Sequence, residues 1–246
     1  RNVVIGRCMR AYLITQGADA ARIAVIPNWV DDVAIRPLPR ERNPLRGQWG
    51  LADRFVVGYS GNLGRSHEFD TLLEVARRLA PDPGIAFLIV GSGARLAEIE
   101  GRCRELGLDN VLFRPFQPRE WLPQSLSVPD LHIVSLRSGL EGLVVPSKFY
   151  GALAAGRPVL FLGPDTSEVA LAIRQHRCGF VVADGSSADA AHAISRCAAE
   201  PELRRAMGER ARQAVDEHYS RSAALRAWEA TLEQAARGLA TSRPAP

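Results

Sequence analysis

Lysine is almost absent from this sequence of 246 residues, because 30 of its 31 basic residues are arginines and only Lys148 is a lysine. We ascribe the arginine excess to a GC-rich coding genome. The arginines alternate with acidic residues along helical stretches such as 201–218 and form no basic block. The net charge of +4 therefore does not indicate a nucleic-acid partner. A small anionic ligand, which needs only a few donors, stays compatible with the sequence.

Long apolar runs and paired cysteines are also missing. Runs such as 85–90 are far shorter than the roughly 18 residues that cross a bilayer, and the first residues contain no signal-peptide core. The four cysteines stand singly, without metal-binding or disulfide spacing, which is typical of a reduced cytosolic protein. We therefore expect a cytoplasmic protein without a metal site. The hydrophobic content of 46% excludes a disordered chain.

From residue 55 onward, short apolar runs alternate with helical patterns. This alternation predicts an α/β fold with a Rossmann-like, doubly wound parallel sheet, since near-continuous apolar strands are typical of strands covered on both faces. The predicted strands are 55–59, 85–90, 111–113, 131–134, 158–162 and 179–182. The predicted helices between them are 69–80, 94–106, 119–127, 147–155 and 167–177. Only helices are predicted from 187 to about 238, and Leu225, Trp228 and Leu232 share one face of the last.

The first 50 residues do not follow this alternation. They contain a strand at 3–5, a helix at 7–16, a second strand at 23–26 and then a stretch spaced by prolines. We interpret residues 1–50 as the remnant of a preceding domain plus a linker, and we expect the chain to be the trailing part of something longer. Residues 51–200 are the predicted Rossmann-like domain. Residues 201–246 are predicted as helices that pack on it and end in a frayed Ser-Arg-Pro-Ala-Pro tail.

The loop after the first strand of this sheet, 58–68, is a candidate ligand site. Open parallel sheets bind ligands where the carboxyl ends of their strands lead into helices. Gly61 and Gly64 allow a close approach of the backbone, and Arg65 and His67 supply donors for a phosphate. The alternative interpretation is a tight turn with solvated side chains.

Two further loops give weaker signals. A Gly-Ser-Gly sequence at 91–93 follows a strand, but the third glycine of a dinucleotide motif would fall at Leu96, and no acidic residue ends the next strand. We therefore interpret Gly91 as a turn residue beside a base or ribose and not as part of a nicotinamide site. Arg114 and Pro115 begin a short loop that can offer backbone polar groups to a base.

The strongest signal is the loop 138–151, which leads into the helix predicted at 147–155. Ser147 is a candidate N-cap, and the free N–H groups of a helix N-terminus favour anions. Lys148 lies in the first turn, where its charge opposes the helix dipole at a cost of about 0.3 to 1 kcal/mol. An anion bound between the two offsets this cost, so the one lysine indicates an anionic ligand.

Together these loops resemble the donor-binding half of the retaining family-4 glycosyltransferases, which have the GT-B fold of two facing Rossmann-like domains. The similarity runs from the sequence Val-Ile-Pro-Asn-Trp-Val-Asp at 25–31, which resembles the family's hinge, to the helix around Trp228. The segment Gly-Leu-Val-Val-Pro-Ser-Lys-Phe-Tyr-Gly at 142–151 is most similar to the bacterial branch that builds O-antigen, capsule and colanic-acid-like polysaccharides.

The resemblance implies a UDP- or GDP-linked sugar at the carboxyl edge of the sheet, no cofactor, no obligatory metal, and transfer with retention at the anomeric carbon. Family members usually neutralise the diphosphate with an arginine after the glycine of the first loop and a lysine five residues later. Here these positions hold Asn62 and His67. The family also has two glutamates in the loop that corresponds to 138–151 here. The first corresponds to Glu141, which is implied to orient the sugar, and the second corresponds to Gly151.

We hypothesise that Arg65 and Lys148, with His67 if it is protonated, take over the charge of the phosphates, and that another group or water serves the ribose. The residues predicted to act in catalysis are Glu141, Arg65 and Lys148. The residues predicted to bind the donor are Gly61, Asn62, Gly64, His67, Gly91, Arg114, Pro115, Gly142, Leu143, Ser147 and Tyr150.

In such enzymes a preceding domain of comparable size binds the acceptor. The resemblance implies a lipid-linked saccharide as acceptor and a peripheral position at the inner face of the cell membrane. We expect the present chain to bind a nucleotide sugar weakly and not to transfer it without that acceptor domain. Two alternatives stay open: a UDP-sugar 2-epimerase-like GT-B enzyme, and a non-catalytic Rossmann-like binding or scaffold domain.

Overall fold

The structure is a computed structural model that describes residues 1–241, with side chains up to residue 237. Two short strands form a parallel pair near the start of the chain, and six longer ones form the central sheet. The pair is β1 (Asn2–Val4) and β2 (Ile23–Val25). The central strands are β3 (Phe55–Ser60), β4 (Ile85–Val90), β5 (Val111–Arg114), β6 (Leu131–Ser135), β7 (Val159–Leu162) and β8 (Gly179–Val182).

Helices connect the strands and cover both faces of the central sheet. They are α1 (Arg7–Thr15), α2 (Pro44–Gln48), α3 (Asp70–Leu79), α4 (Leu96–Glu105), α5 (Leu122–Ser127), α6 (Lys148–Ala154), α7 (Glu168–His176), α8 (Ser187–Ala199), α9 (Pro201–Ala214) and α10 (Arg221–Thr241). A π-helical segment, Val215–Tyr219, joins α9 to α10. No helix within residues 1–241 is long and apolar enough to cross a membrane.

The central sheet is fully parallel, in the order β5-β4-β3-β6-β7-β8. The order reverses between β3 and β6, and in open α/β sheets the crevice at such a reversal is where ligands bind. The predicted doubly wound α/β fold is therefore confirmed. β4 and β8 have the predicted bounds.

The helix predicted at 119–127 is interrupted. Residues Arg119–Trp121 form a 3-10 turn, and α5 begins only at Leu122. Pro123 in the first turn of α5 explains the break, because proline donates no N–H and its ring collides with the carbonyl group four residues earlier.

The core lies on both faces of the sheet. On one face, α3, α4 and α8 share a core with side chains of β3, β4, β6 and β7, and the apolar residues Leu72, Leu73 and Val75 of α3 are at most 1% exposed. On the other, α6 and α7 pack on β6 and β7, and α9 packs on α6 and α7. Full burial on both faces explains why these strands are continuous apolar runs in the sequence.

The N-terminal residues and the C-terminal helices contact the core of the domain to different extents. The segment after residue 34 joins the core, since Ile35, Leu45 and Leu51 are buried there. The helix α9 packs on α6, whereas α10 contacts mainly the π-helical segment. The predicted domain boundaries at 50 and 200 stay predictions, and the predicted tail at 242–246 lies outside the described residues.

Candidate functional site

A cavity of about 510 Å³ opens at the carboxyl edge of the sheet, where the order of its strands reverses. Its walls come from the loops after β3, β5 and β6, from α5 and α6, and from the hinge-like segment around Trp29. Six of the predicted site residues line it: Gly61, Asn62, His67, Ser147, Lys148 and Tyr150.

Two glycines let the loops after β3 and β4 pack closely behind this cavity. Gly91 has a φ of 157° and Gly61 a φ of 142°, which favours glycine at both positions. A Cβ atom on Gly91 would overlap the carbonyl oxygen of Gly61, and one on Gly61 would lie 3.0 Å from Cε of Lys148. Gly91 therefore shapes the turn after β4, and Gly61 leaves room for the side chain of Lys148.

Lys148 begins α6 and extends its ammonium group toward the loop after β3. Its Nζ lies 2.7 Å from the hydroxyl oxygen of Tyr59, 2.7 Å from Nε2 of His67 and 4.4 Å from the centre of the Tyr59 ring. The lysine forms no ion pair with any described residue. Because burial penalises the charged form and no carboxylate compensates for it, the pKa of Lys148 is lowered to about 7.

His67 is buried beside this lysine, with 8% of its surface exposed. Its Nδ1 lies 2.8 Å from the carbonyl oxygen of Ser135, which can only accept a hydrogen bond. The Nδ1 atom therefore carries the proton, and Nε2 accepts an N–H from Lys148. Burial, together with the charge of Lys148, lowers the pKa of His67 to about 4. The imidazole is thus neutral at pH 7, and the predicted phosphate contact of a protonated His67 does not apply to this arrangement.

Tyr59 is the site residue that the sequence reasoning missed. It lies on β3, 1% exposed, donates its hydroxyl proton to the carbonyl oxygen of Asn62 at 2.8 Å, and accepts an N–H from Lys148. A tyrosine in an apolar strand is indistinguishable from a core residue in the sequence. No local signal connects it with a lysine 89 positions away.

Other predicted residues do not line the cavity. Arg65 is exposed, and its carbonyl oxygen accepts from the Arg137 side chain at 3.4 Å. The guanidinium of Arg114 lies over the Trp49 ring, 5.7 Å from its centre. Glu141 is half-buried in the loop after β6 and is not among the residues that line the cavity. The same holds for the predicted donor-binding residues Gly64, Gly91, Pro115, Gly142 and Leu143.

One of these positions, Gly142, has a structural role instead. Gly142 packs against α1, because a Cβ there would lie 2.9 Å from Cβ of Tyr12 and 3.0 Å from the carbonyl oxygen of Cys8. The Ser147 side chain makes no N-capping hydrogen bond, which departs from the predicted cap.

Gly151 lines the cavity at the position where the resemblance implies a second glutamate. A Cβ atom there would lie 3.3 Å from Cδ1 of Leu126, closer than most side-chain contacts. A larger residue would require the Leu126 side chain to shift slightly, so α5 and α6 pack closely at the glycine. Trp29, 48% exposed, and Phe116, 55% exposed, border the same cavity and offer aromatic faces.

Within residues 1–237, no cluster of three or more potential ligand side chains could hold a metal ion. Among the residues that line the cavity, Lys148 is the one side chain that can carry a charge at neutral pH. A parallel sheet with helices on both faces, and a cavity with a cation at its carboxyl edge, define a Rossmann-like nucleotide-binding class of domain.

Comparison with known families identifies the domain more closely. The family described as glycosyl transferases group 1 matches residues 41–214, and the chain belongs to this family. It corresponds to the C-terminal, donor-binding domain of these enzymes, as the motifs of the four loops predicted.

Curated relatives come from several bacteria. The chain is 33% identical over 154 residues to a putative colanic acid biosynthesis glycosyl transferase, WcaI, of Escherichia coli, which covers 62% of this chain and 38% of the relative. It is 34% identical over 205 residues to a D-inositol 3-phosphate glycosyltransferase of Nocardia farcinica, covering 79% and 44%. The chain thus spans less than half of the length of these relatives.

Solved structures share the fold. HepE of Anabaena, determined in complex with UDP-glucose, superposes with a TM-score of 0.79 at 21% identity, covering 96% of this chain and 63% of HepE. WaaG, a glycosyltransferase involved in lipopolysaccharide biosynthesis, superposes with a TM-score of 0.75 at 18% identity, covering 93% and 61%. At these identities the likeness establishes the GT-B-type domain fold alone.

Proposed function

We propose that this chain binds a UDP- or GDP-linked sugar in the cavity and belongs to a retaining glycosyltransferase that transfers the sugar to a lipid-linked saccharide in surface polysaccharide synthesis. The observation that carries the proposal is the position of Lys148. Its Nζ lies 2.7 Å from Nε2 of His67, the residue at which the family usually carries a phosphate-binding lysine. The ammonium group of Lys148, from α6, therefore lies beside the position at which family members carry a lysine in the loop after β3.

The cavity has the two-sided character that a nucleotide diphosphate requires. Lys148, Asn62 and the backbone of Gly61 form a polar side with one cation. Phe116 and Leu122 form an apolar side, where a base can stack. We place the diphosphate of the donor on the polar side and its base on the apolar side.

In the proposed reaction the bond between the anomeric carbon and the diphosphate oxygen breaks, and a bond forms to an acceptor hydroxyl, which loses its proton. Negative charge then increases on the leaving diphosphate. A fixed ammonium stabilises that charge more in the transition state than in the ground state, which lowers the barrier. Glu141 and Arg65 stay proposed contributors, to sugar orientation and to phosphate charge respectively.

Calorimetric titration of the 246-residue chain with UDP and with GDP tests donor binding. We expect one of the two to bind, and Lys148→Ala to weaken its binding about 10- to 100-fold, because a hydrogen bond to a charged group is worth roughly 1.5 to 3 kcal/mol. Arg226→Ala is the matched control, since it removes one exposed cation from α10 and leaves the affinity unchanged. Absence of binding to both nucleotides would refute the proposal and favour a scaffold domain.

A further inference from the structure

The ammonium group of Lys148 has two fixed acceptors, the hydroxyl of Tyr59 and Nε2 of His67, each at 2.7 Å. A lysine has three N–H donors, so one N–H remains for a ligand. Tyr59 is itself held by its hydrogen bond to the carbonyl oxygen of Asn62, and the aliphatic stem of the lysine passes close to Gly61. The direction of the remaining N–H is therefore determined by two buried side chains.

The tautomer of His67 is what makes it an acceptor. The carbonyl oxygen of Ser135, the last residue of β6, accepts from Nδ1 at 2.8 Å, which leaves the Nε2 lone pair for the lysine. The ring also lies edge-on to Tyr59 and Phe69, with centroid distances of 5.9 and 6.4 Å, so it cannot turn freely. A cation in this place would repel Lys148, whereas a neutral acceptor stabilises its charge.

We propose that His67 is a positioning residue, which accepts an N–H from Lys148 through a neutral Nε2 and thereby directs the lysine toward the diphosphate. This inference rests on the proposed function, since it takes a nucleotide diphosphate as the ligand. It differs from the usual arrangement in the family, because residue 67 does not contact the phosphates directly.

A linkage between nucleotide binding and protonation follows from the surroundings of Lys148. The titratable groups that face its ammonium are Tyr59 from β3 and His67 from the loop after β3, both neutral at pH 7, and no carboxylate lies within ion-pair distance among residues 1–237. A bound diphosphate supplies the missing negative charge and raises the pKa of the lysine from about 7. Binding therefore takes up a proton above pH 7, and the affinity falls as the pH rises through 7.

The test compares His67→Gln with His67→Leu. Glutamine can present its side-chain oxygen near the place of Nε2, whereas leucine fills the space without an acceptor. The probe is UDP, or GDP if the first titration selects it, at pH 6.0 to 9.0. The proton uptake is obtained at pH 8.5 from binding enthalpies in buffers with different ionisation enthalpies.

For the wild-type chain we expect uptake of more than half a proton at pH 8.5, and for Lys148→Ala none. His67→Leu is expected to lose about tenfold in affinity or more at pH 7 and to shift the pH midpoint of binding downward, because the ammonium loses an acceptor. His67→Gln is expected to keep most of the wild-type affinity and a pH midpoint close to that of the wild type. Thermal unfolding of each variant checks that it folds.

The possible failures are distinguishable. If the wild-type chain binds neither nucleotide, the proposed function itself fails. If it binds with dependence on Lys148, but His67→Leu retains the wild-type affinity and pH midpoint, His67 has no positioning role. If His67→Gln is as weak as His67→Leu while both fold, the hydrogen-bond acceptor is not what matters, and the inference is wrong.

Discussion

At the residue scale, the charge of the candidate site is concentrated in one side chain. Lys148 stands in a cavity without a carboxylate partner within residues 1–237, and it lies at the beginning of α6, where the helix dipole also opposes its charge. Such a lysine reduces the stability of the folded chain wherever it must be protonated. A residue that is costly for folding and lines a cavity is a candidate for ligand binding.

Replacement of this lysine by methionine should have a pH-dependent effect on stability. The pKa of Lys148 is about 7 in the folded chain and near 10.4 in an unfolded one, so between these values the unfolded state binds one more proton. Wild-type stability therefore rises with pH relative to Lys148→Met, by about 1.4 kcal/mol per pH unit between pH 7.5 and 9.5. Urea unfolding of both proteins at several pH values measures this difference. A difference that does not change with pH would contradict the lowered pKa.

At the scale of elements, a buried ion pair joins α2 to the start of β6. Arg46 and Asp130 are 2% and 3% exposed and lie 3.1 Å apart. Arg46 also donates to the carbonyl oxygens of Val128 and Leu51, and Asp130 accepts the backbone N–H of Val56 on β3 at 2.8 Å. The pair thus positions the two neighbouring strands at whose carboxyl ends the cavity opens.

Loss of the carboxylate should destabilise the domain strongly. Asp130→Asn leaves the buried guanidinium without a counter-charge, and we expect a loss of about 3 to 5 kcal/mol. Glu74→Gln is the control, because Glu74 pairs with Arg77 and Arg78 on the surface of α3, where such a change costs about 1 kcal/mol or less. Urea unfolding compares the two variants. Equal losses would contradict the role of the buried pair.

At the scale of the whole molecule, the described residues include large apolar side chains that are exposed on the surface of α1 and α10. Leu225, Trp228 and Leu232 share one face of α10, as predicted, but are between 41% and 62% exposed. Tyr12 and Ile14 of α1 are also exposed. The chain covers 38% and 44% of the lengths of the two relatives described above, so a test of sugar transfer needs a longer protein for comparison.

We predict that sugar transfer requires an acceptor domain in addition to this chain. With a nucleotide sugar and a lipid-linked saccharide, a longer protein that includes a preceding domain should form a product that retains the donor's anomeric configuration, and the 246-residue chain should form none. Product analysis by NMR measures both. Robust transfer by the shorter chain would refute the prediction, and a free epimerised sugar from the longer protein would favour the epimerase alternative.

The sequence by itself determined the fold and the edge of the sheet at which the candidate cavity opens. The strands were predictable because a buried parallel strand needs a continuous apolar run, and β4, buried along its whole length, begins and ends at its predicted residues. That edge was predictable because it is formed by the carboxyl ends of those strands. The family followed from the order and spacing of the loop motifs, and the match over residues 41–214 confirms it.

Only the tertiary structure decided which side chains share the cavity and which charges they carry. Lys148 contacts Tyr59 and His67 across 89 and 81 positions of sequence, whereas Arg65, two residues before His67, is exposed and does not line the cavity. The neutral state of His67 depends on its burial and on the carbonyl group of Ser135. Strand formation follows from local patterns of apolar residues, but the direction and the pKa of a side chain depend on neighbours that only the folded chain brings together.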